Sequence, residues 1–323
     1  MPLDPQAKAL FDFLGLAQLA PLETMTPQEA RQRFETLAEA RRQMVPEPVD
    51  QIQDLKIPGP AGEIPIRVYS PKVQSPAPAL IYFHGGGWVL GDLESHDHVC
   101  RALANSAACL VLSVDYRLAP EHKFPAAVHD SFAATQWIAD HAGELGVDAS
   151  RIAVGGDSAG GNLAAVVSQI ARDRGGPEII YQLLIYPGTD MRMSFPSIEE
   201  NADGPLLTKA AMQWFVNHYL RSAKDRTDPL ASPLLASNLR GLPPAFIITA
   251  ECDPLRDEGE AYGRSLEEAG VPVDVQRYEG MPHGFFSFGA ALEGGRRAFA
   301  DTTSRLRSAF KLEEVSRSAD SAA

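Results

Sequence analysis

Ile152-Ala153-Val154-Gly155-Gly156-Asp157-Ser158-Ala159-Gly160-Gly161-Asn162 is the stretch whose reading decides the fold. Its apolar start reads as a buried strand. Leu163, Val166, Val167, Ile170 and Ala171 then recur at helical spacing, so a helix follows. Between the two lies Gly156-Asp157-Ser158-Ala159-Gly160, a G-x-S-x-G elbow that sets a serine at the tip of a sharp turn. Residues two before and two after the serine crowd together there, and glycine avoids the clash. A phosphate-binding loop would require Lys-Ser/Thr after the glycines, and none follows.

Working outward, 323 residues suffice for one large α/β domain or two smaller ones. A content of 45% apolar and 22% charged residues is that of an ordinary globular chain. A net charge of −13 with no basic stretch argues against nucleic acid or an anionic membrane as partner. No run approaches the roughly 18 apolar residues of a membrane span. Met1-Pro2-Leu3-Asp4-Pro5 lacks the basic-then-apolar pattern of a signal peptide. Cys100, Cys109 and Cys252 are odd in number and far apart, which reads as reduced thiols in a cytoplasmic protein.

Residues 1–45 read as two amphipathic helices that precede every strand. Ala7, Leu10, Phe11 and Leu14 mark the first. The second opens on a capping box, Thr26-Pro27-Gln28-Glu29, and places Ala30, Phe34, Leu37 and Ala38 on one face. Gln51–Ile57 and Glu63–Tyr69 read as an antiparallel pair at a sheet edge. Further strands are expected at Ala79–Phe83, Leu110–Val114, Arg151–Val154, Gln182–Tyr186, Ala245–Thr249 and Val271–Tyr278. Helical patterns between most of them imply a parallel sheet covered on both faces. Ser197–Arg221 offers no strand and reads as a helical insertion. The tail Glu313–Ala323 is polar and small.

His84-Gly85-Gly86-Gly87-Trp88 follows the strand ending at Phe83. Its glycines bare backbone N–H groups that would supply one half of an oxyanion hole, with Ala159 N–H as the other. His84 reads as a support that holds this loop by hydrogen bonds, and Asp157 as a fixture of the elbow. Two carboxylates compete for the next role. Asp253 comes directly after a strand, where a parallel sheet presents its functional groups. Asp257 would sit one turn into a helix starting at Pro254, which makes Asp253 the better placed. His283 is the one histidine downstream of it and again follows a strand. The order serine, acid, histidine is that of a triad on this kind of sheet. His96-Asp97-His98 hints at a metal, but alternate helical residues face apart, so these histidines read as surface or loop residues.

With these pieces placed, the chain from about Pro58 to Phe288 resembles the hormone-sensitive-lipase-like esterases of the α/β-hydrolase superfamily. The motifs are His84-Gly85-Gly86-Gly87-Trp88, Asp115-Tyr116-Arg117-Leu118-Ala119-Pro120-Glu121-His122, Gly156-Asp157-Ser158-Ala159-Gly160-Gly161-Asn162, Asp253-Pro254-Leu255-Arg256-Asp257-Glu258-Gly259 and His283-Gly284-Phe285. The resemblance implies an α/β-hydrolase fold, a mostly parallel central sheet flanked by helices under a helical cap. Residues 1–45 and an insertion near 190–225 would form that cap, and 46–323 the catalytic domain. It implies Ser158, Asp253 and His283 as triad and Gly85, Gly86 and Ala159 as oxyanion donors. His84, Gly87, Gly156, Asp157 and Gly160 would support the site. It also implies hydrolysis of short- to medium-chain carboxylic esters with no metal or cofactor.

Amide, carbamate or lactone hydrolysis would use the same triad. A small-molecule receptor on the same fold would lack the histidine that this chain keeps. The strand Val271–Tyr278, last in the pattern, is expected at a sheet edge, where two copies would pair into a homodimer.

Overall fold

Strand β3 (Ala77–Phe83) is buried along its whole length, and its alternate residues feed two different cores. Leu80 and Tyr82 point to one face of the sheet, Ile81 and Phe83 to the other. This period of two is what a strand covered on both sides dictates. The computed structural model describes residues 2–15, 19–42, 47–289 and 291–312, without the side chains of residues 37, 38 and 40–42.

Around β3 stand β1 (Gln51–Gly59), β2 (Gly62–Ser70), β4 (Leu110–Val114), β5 (Val147–Asp157), β6 (Tyr181–Ile185), β7 (Ala245–Cys252) and β8 (Val273–Pro282). They form one eight-stranded sheet in the order β1-β2-β4-β3-β5-β6-β7-β8. The pairs β1–β2 and β2–β4 are antiparallel, and every other pair is parallel. The antiparallel edge hairpin and the outer place of the last strand are therefore as expected. The hairpin turn is tighter than expected, with only Pro60 and Ala61 between the paired Gly59 and Gly62.

The helices divide between the two faces. Helices α4 (Ala126–Asp140), α5 (Ala142–Leu145), α6 (Ala159–Arg174) and α9 (Arg256–Glu268) pack on the Ile81 face through Val128, Ile138, Leu163, Val166 and Leu266. Helices α3 (Asp97–Ala107) and α10 (Glu293–Ala309) cover the Leu80 face through Val99, Leu103, Ala298 and Leu306. Complete burial of such side chains contributes about 1.5–3 kcal/mol each, so the sheet is the rigid frame on which the loops are mounted.

Helix α1 (Pro5–Phe13) buries Ala7 and Phe11 in the Leu80-face core, and Asp4 N–H donates to Gly280 O at 2.9 Å. Phe11 meets Phe288 edge-on at 5.7 Å. Its stripe is shorter than expected, since Leu14 is largely exposed. In α2 (Pro27–Arg42) the capping box forms, with Thr26 N–H donating to Glu29 at 2.8 Å. Arg31 reaches Val89 O and Ala119 O and pairs with Glu121. The side chains of Leu37 and Ala38, and the tail Glu313–Ala323, lie outside the described residues. Between β6 and β7 come α7 (Pro196–Glu200) and α8 (Lys209–Tyr219), which share a small cluster of Ile198, Leu207, Ala211, Met212 and Leu255. Trp214 Nε1 donates to Met25 O at 3.1 Å, fastening this insertion to the N-terminal segment.

Most strand ends shift by one to three residues from expectation, and larger or more consequential differences fall at β5, β8 and α9. Strand β5 starts at Val147 rather than Arg151, and the exposed Ala149 and Ser150 break the apolar run that would have marked its first part. Strand β8 starts at Val273 and continues to Pro282, so His283 follows it directly. Helix α9 starts at Arg256 rather than Pro254.

Candidate active site

Strand β5 ends at Asp157, α6 starts at Ala159, and Ser158 between them has φ 55° and ψ −116°. For a residue with a side chain this is strained backbone, held by the packing on either side. The flanking glycines are required by contact. A Cβ on Gly156 would lie 2.3 Å from Phe83 O, and one on Gly160 would lie 1.8 Å from the same oxygen. Ser158 N–H donates to Ile185 O at 2.8 Å, which ties the turn to β6.

The ends of β7 and β8 bring the other two expected residues to this serine. Asp253 is fully buried just past β7, where Oδ1 accepts Leu255 N–H at 2.8 Å. Its Oδ2 lies 2.7 Å from His283 Nδ1, and His283 Nε2 lies 3.0 Å from Ser158 Oγ. The carboxylate accepts, so Nδ1 carries the proton and Nε2 presents its lone pair to the hydroxyl. Asp257 is engaged elsewhere, accepting from Ser197 N–H at 2.9 Å and from Arg256 Nε at 2.8 Å. Glu251 Oε2 accepts Gly280 N–H at 2.6 Å and so fixes the strand that delivers His283.

The glycine loop stands beside the serine, with one correction. Gly85 N–H donates to Asp157 Oδ1 at 3.0 Å, so it is not available to an oxyanion. The reason is position. Gly85 still points inward at the end of β3, and the chain turns outward only at Gly86 and Gly87, with φ of 118° and 59°. The N–H groups of Gly86, Gly87 and Ala159 have no hydrogen-bond partner among the described residues, and all three residues line the groove that contains Ser158 and His283. Gly87 is required by a neighbour, since a Cβ there would meet the Phe215 ring at 2.2 Å.

Behind the loop lies a buried polar layer. His84 Nδ1–H donates to Gly85 O at 2.8 Å, and Tyr116 OH donates to His84 O at 2.6 Å with the two rings stacked. His84 therefore braces the loop, as its neighbours suggested. Burial, then the adjacent His96, pushes its pKa down to about 4, so the ring is neutral near pH 7. Asp157 accepts from Tyr82 OH at 2.8 Å and faces His96 Nε2 at 3.2 Å. Burial acts to raise the Asp157 pKa. The His96 ring and the hydrogen bonds from His96 and Tyr82 outweigh it and hold the carboxyl at about 2.

His96 lies in the turn before α3, as a loop residue would, but it is not a surface residue, because it is buried against Asp157. The His96-Asp97-His98 triplet diverges. Asp97 pairs with Arg101 at 2.6 Å, and His98 Nε2 lies 3.2 Å from Ser287 O.

Glu258 is a further residue to which the sequence assigned no role. Its carboxyl is buried, and Oε1 accepts from Thr189 N–H at 2.6 Å and Asp190 N–H at 3.1 Å. Burial pushes its pKa well above the usual carboxylate value, against the lowering effect of these two amides, and the carboxyl braces the loop after β6. The groove over Ser158 is walled by apolar side chains from several segments, among them Leu22, Phe34, Met193, Leu207, Phe215 and Leu255. A nucleophilic hydroxyl, a base held by a buried carboxylate, free amides and an apolar wall together suit acyl transfer.

Comparison with known proteins agrees. A family model described as alpha/beta hydrolase fold matches residues 80–287. The carboxylic ester hydrolase LipN of Mycobacterium tuberculosis is 51% identical over 253 residues, 76% of this chain and 67% of that protein. The carboxylesterase NlhH of the same organism is 45% identical over 285 residues, 85% of this chain and 88% of that one. The solved structure of a hyperthermophilic esterase from the archaeon Pyrobaculum calidifontis superposes with a TM-score of 0.91 at 46% identity. That match covers 95% of this chain and 99% of the archaeal one. Among the described residues no helix is long and apolar enough to cross a membrane.

Proposed function

The chain belongs to the hormone-sensitive-lipase-like carboxylesterases of the α/β-hydrolase superfamily, and from that membership we propose that it hydrolyses short- to medium-chain esters through an acyl-enzyme on Ser158. The observation that carries this reading is the contact series Ser158 Oγ–His283 Nε2 at 3.0 Å and His283 Nδ1–Asp253 Oδ2 at 2.7 Å.

In the first half-reaction Ser158 Oγ attacks the ester carbonyl carbon while His283 Nε2 takes the hydroxyl proton. Asp253 holds the imidazole in the required tautomer and offsets the charge that the ring gains. The carbonyl oxygen becomes an anion and is received by the N–H groups of Gly86, Gly87 and Ala159. As the tetrahedral species collapses, the C–O bond to the alcohol breaks and His283 returns its proton to the leaving oxygen. Water then enters, gives a proton to the same nitrogen and attacks the acyl carbon. The acid departs, and Ser158 recovers its proton.

Helices α1 and α2, with the insertion α7–α8, serve as the cap. Leu22, Phe34, Leu207 and Phe215 from these parts line the groove, which supports a role in holding the acyl chain. The cytoplasm is the proposed compartment, in keeping with three buried cysteines that form no disulfide among the described residues. A homodimer through β8 is the proposed assembly, since its outer edge ends the sheet.

A hydrolysis profile across acyl lengths, with matched ester, amide, carbamate and lactone substrates, tests the activity. Esters of two to eight acyl carbons should give the highest kcat/KM. Preference for another bond would leave the triad and replace the substrate class, and no turnover of any would favour the receptor reading.

A further inference from the structure

The mechanism leaves one buried histidine without a task. His96 comes from the turn at the start of α3, sixty-one residues before Asp157, and its ring is almost fully buried. Nε2 lies 3.2 Å from Asp157 Oδ1 and 3.4 Å from Oδ2. Nδ1 lies 2.9 Å from Ser95 Oγ.

Ser95 Oγ also lies 2.9 Å from Asp92 O and accepts Asp92 N–H at 2.9 Å. The Asp157 carboxylate is an acceptor, so Nε2 is the nitrogen that donates to it. Gly85 N–H lies 3.3 Å from His96 Nε2 but 3.0 Å from Asp157 Oδ1, and the carboxylate is its acceptor. The other groups facing the ring are His84, with centroids 5.5 Å apart, and Tyr82 at 6.4 Å.

We propose that His96 is a positioning residue for the oxyanion loop, holding Asp157 so that its carboxylate fixes Gly85 and thereby aims the amides of Gly86 and Gly87. The inference rests on the reading of those two amides, with Ala159, as the oxyanion hole. Asp157 is also the residue before Ser158, so one carboxylate joins both halves of the hole to the nucleophile. Gly85 sits so close that a Cβ there would be 2.3 Å from Asp157 Oδ2. Helix α3 anchors His96 to the core through Val99, Cys100 and Leu103. Without the ring, Asp157 can turn away from Gly85 and the loop loses its reference point. Donors aimed at a developing oxyanion act mainly in the transition state, so a loss of aim lowers kcat more than it raises KM.

The test uses His96→Ala, His96→Gln and Ser95→Ala with a good ester substrate, and a matched pair of inhibitors. A trifluoromethyl ketone forms a tetrahedral oxyanion adduct with the serine, whereas its methyl ketone twin does so far less. His96→Ala should lower kcat about 10- to 100-fold and leave KM within about threefold. Trifluoromethyl ketone affinity should fall by a matching factor and methyl ketone affinity should hold. His96→Gln, which keeps an N–H toward Asp157, should recover most of both losses, and Ser95→Ala should show a smaller loss of the same kind. A folded His96→Ala with unchanged kcat overturns the proposal, as does a kcat loss with no loss of trifluoromethyl ketone affinity. Should His96→Ala not fold, Ser95→Ala and His96→Gln decide. Wild-type kcat and inhibitor ratio in Ser95→Ala, or no kcat in a folded His96→Gln, overturns it. A wild-type protein that fails to distinguish the two ketones overturns the oxyanion reading and this inference together, whereas discrimination that survives in every variant overturns this inference alone.

Discussion

His283 Nδ1 donates to Asp253 Oδ2 at 2.7 Å, while Asp257, one helical turn further on, accepts from Ser197 and Arg256. The two carboxylates are four residues apart and serve different ends. Asp253→Asn would present an amide to Nδ1 and turn the imidazole to the wrong tautomer. The expected loss in kcat is on the order of 10⁴ with the fold intact. Asp257→Asn should cost far less, acting through the seat of α7. Steady-state kinetics of the two folded variants decide, and a larger loss at Asp257 would reverse the assignment.

The buried His84 couples stability to pH. Its folded-state pKa is lowered to about 4 from 6.5, chiefly by burial and then by His96. Between these values the unfolded chain binds a proton that the folded protein does not. Stability therefore rises with pH across this window, and falls as pH drops from about 6.5 to 4. For a fully buried ring the change is on the order of 3 kcal/mol. Asp157 lies outside the window. Its folded pKa is depressed, so its contribution is complete above about 3.8 and is lost only at lower pH. Urea unfolding at pH 4.5 and 6.5 should show a smaller pH dependence for His84→Gln than for the wild-type protein. Equal dependence would mean that His84 is protonated in the fold.

Removal of residues 1–45 should both destabilise the protein and blunt its substrate preference. Ala7 and Phe11 leave the core, at about 1.5–3 kcal/mol for a side chain the size of phenylalanine. Leu22 and Phe34 leave the groove wall. A wetter groove gains less from each added methylene, so kcat/KM should fall most for the best medium-chain ester and least for acetate. An unchanged melting temperature together with an unchanged acyl profile would remove these helices from the role of cap.

Much of the site was legible because its chemistry is written in local patterns. The glycines around Ser158 are demanded by contacts with Phe83 O that any such turn creates. Asp253 and His283 were placed by one rule, that functional groups emerge where parallel strands end. Gly85 was misread because residue type says which amides exist but not which way they point. His96 and Glu258 were beyond reach for another reason. Their partners Asp157 and Thr189 are 61 and 69 residues away in sequence, and only the assembled sheet brings them together. Strand β5 was read short because Asp148, Ala149 and Ser150 interrupt its apolar run.

The outer edge of β8 should join two copies of the chain. Val275 is exposed on this strand, and the backbone edge beyond it has no strand neighbour among the described residues. Light scattering at micromolar concentration should give twice the chain mass. A single species at the monomer mass would remove the edge from this role.

The most direct measurement of the central claim is reaction with a p-nitrophenyl alkylphosphonate, followed by peptide mapping of the labelled protein. Phosphonylation should reach one equivalent per chain, abolish ester hydrolysis in step with labelling, and place the adduct on Ser158. Ser158→Ala should stay folded, take up no label and hydrolyse esters several orders of magnitude more slowly. Stoichiometric inactivation with the adduct on any other residue, or substantial turnover by Ser158→Ala, would contradict the account.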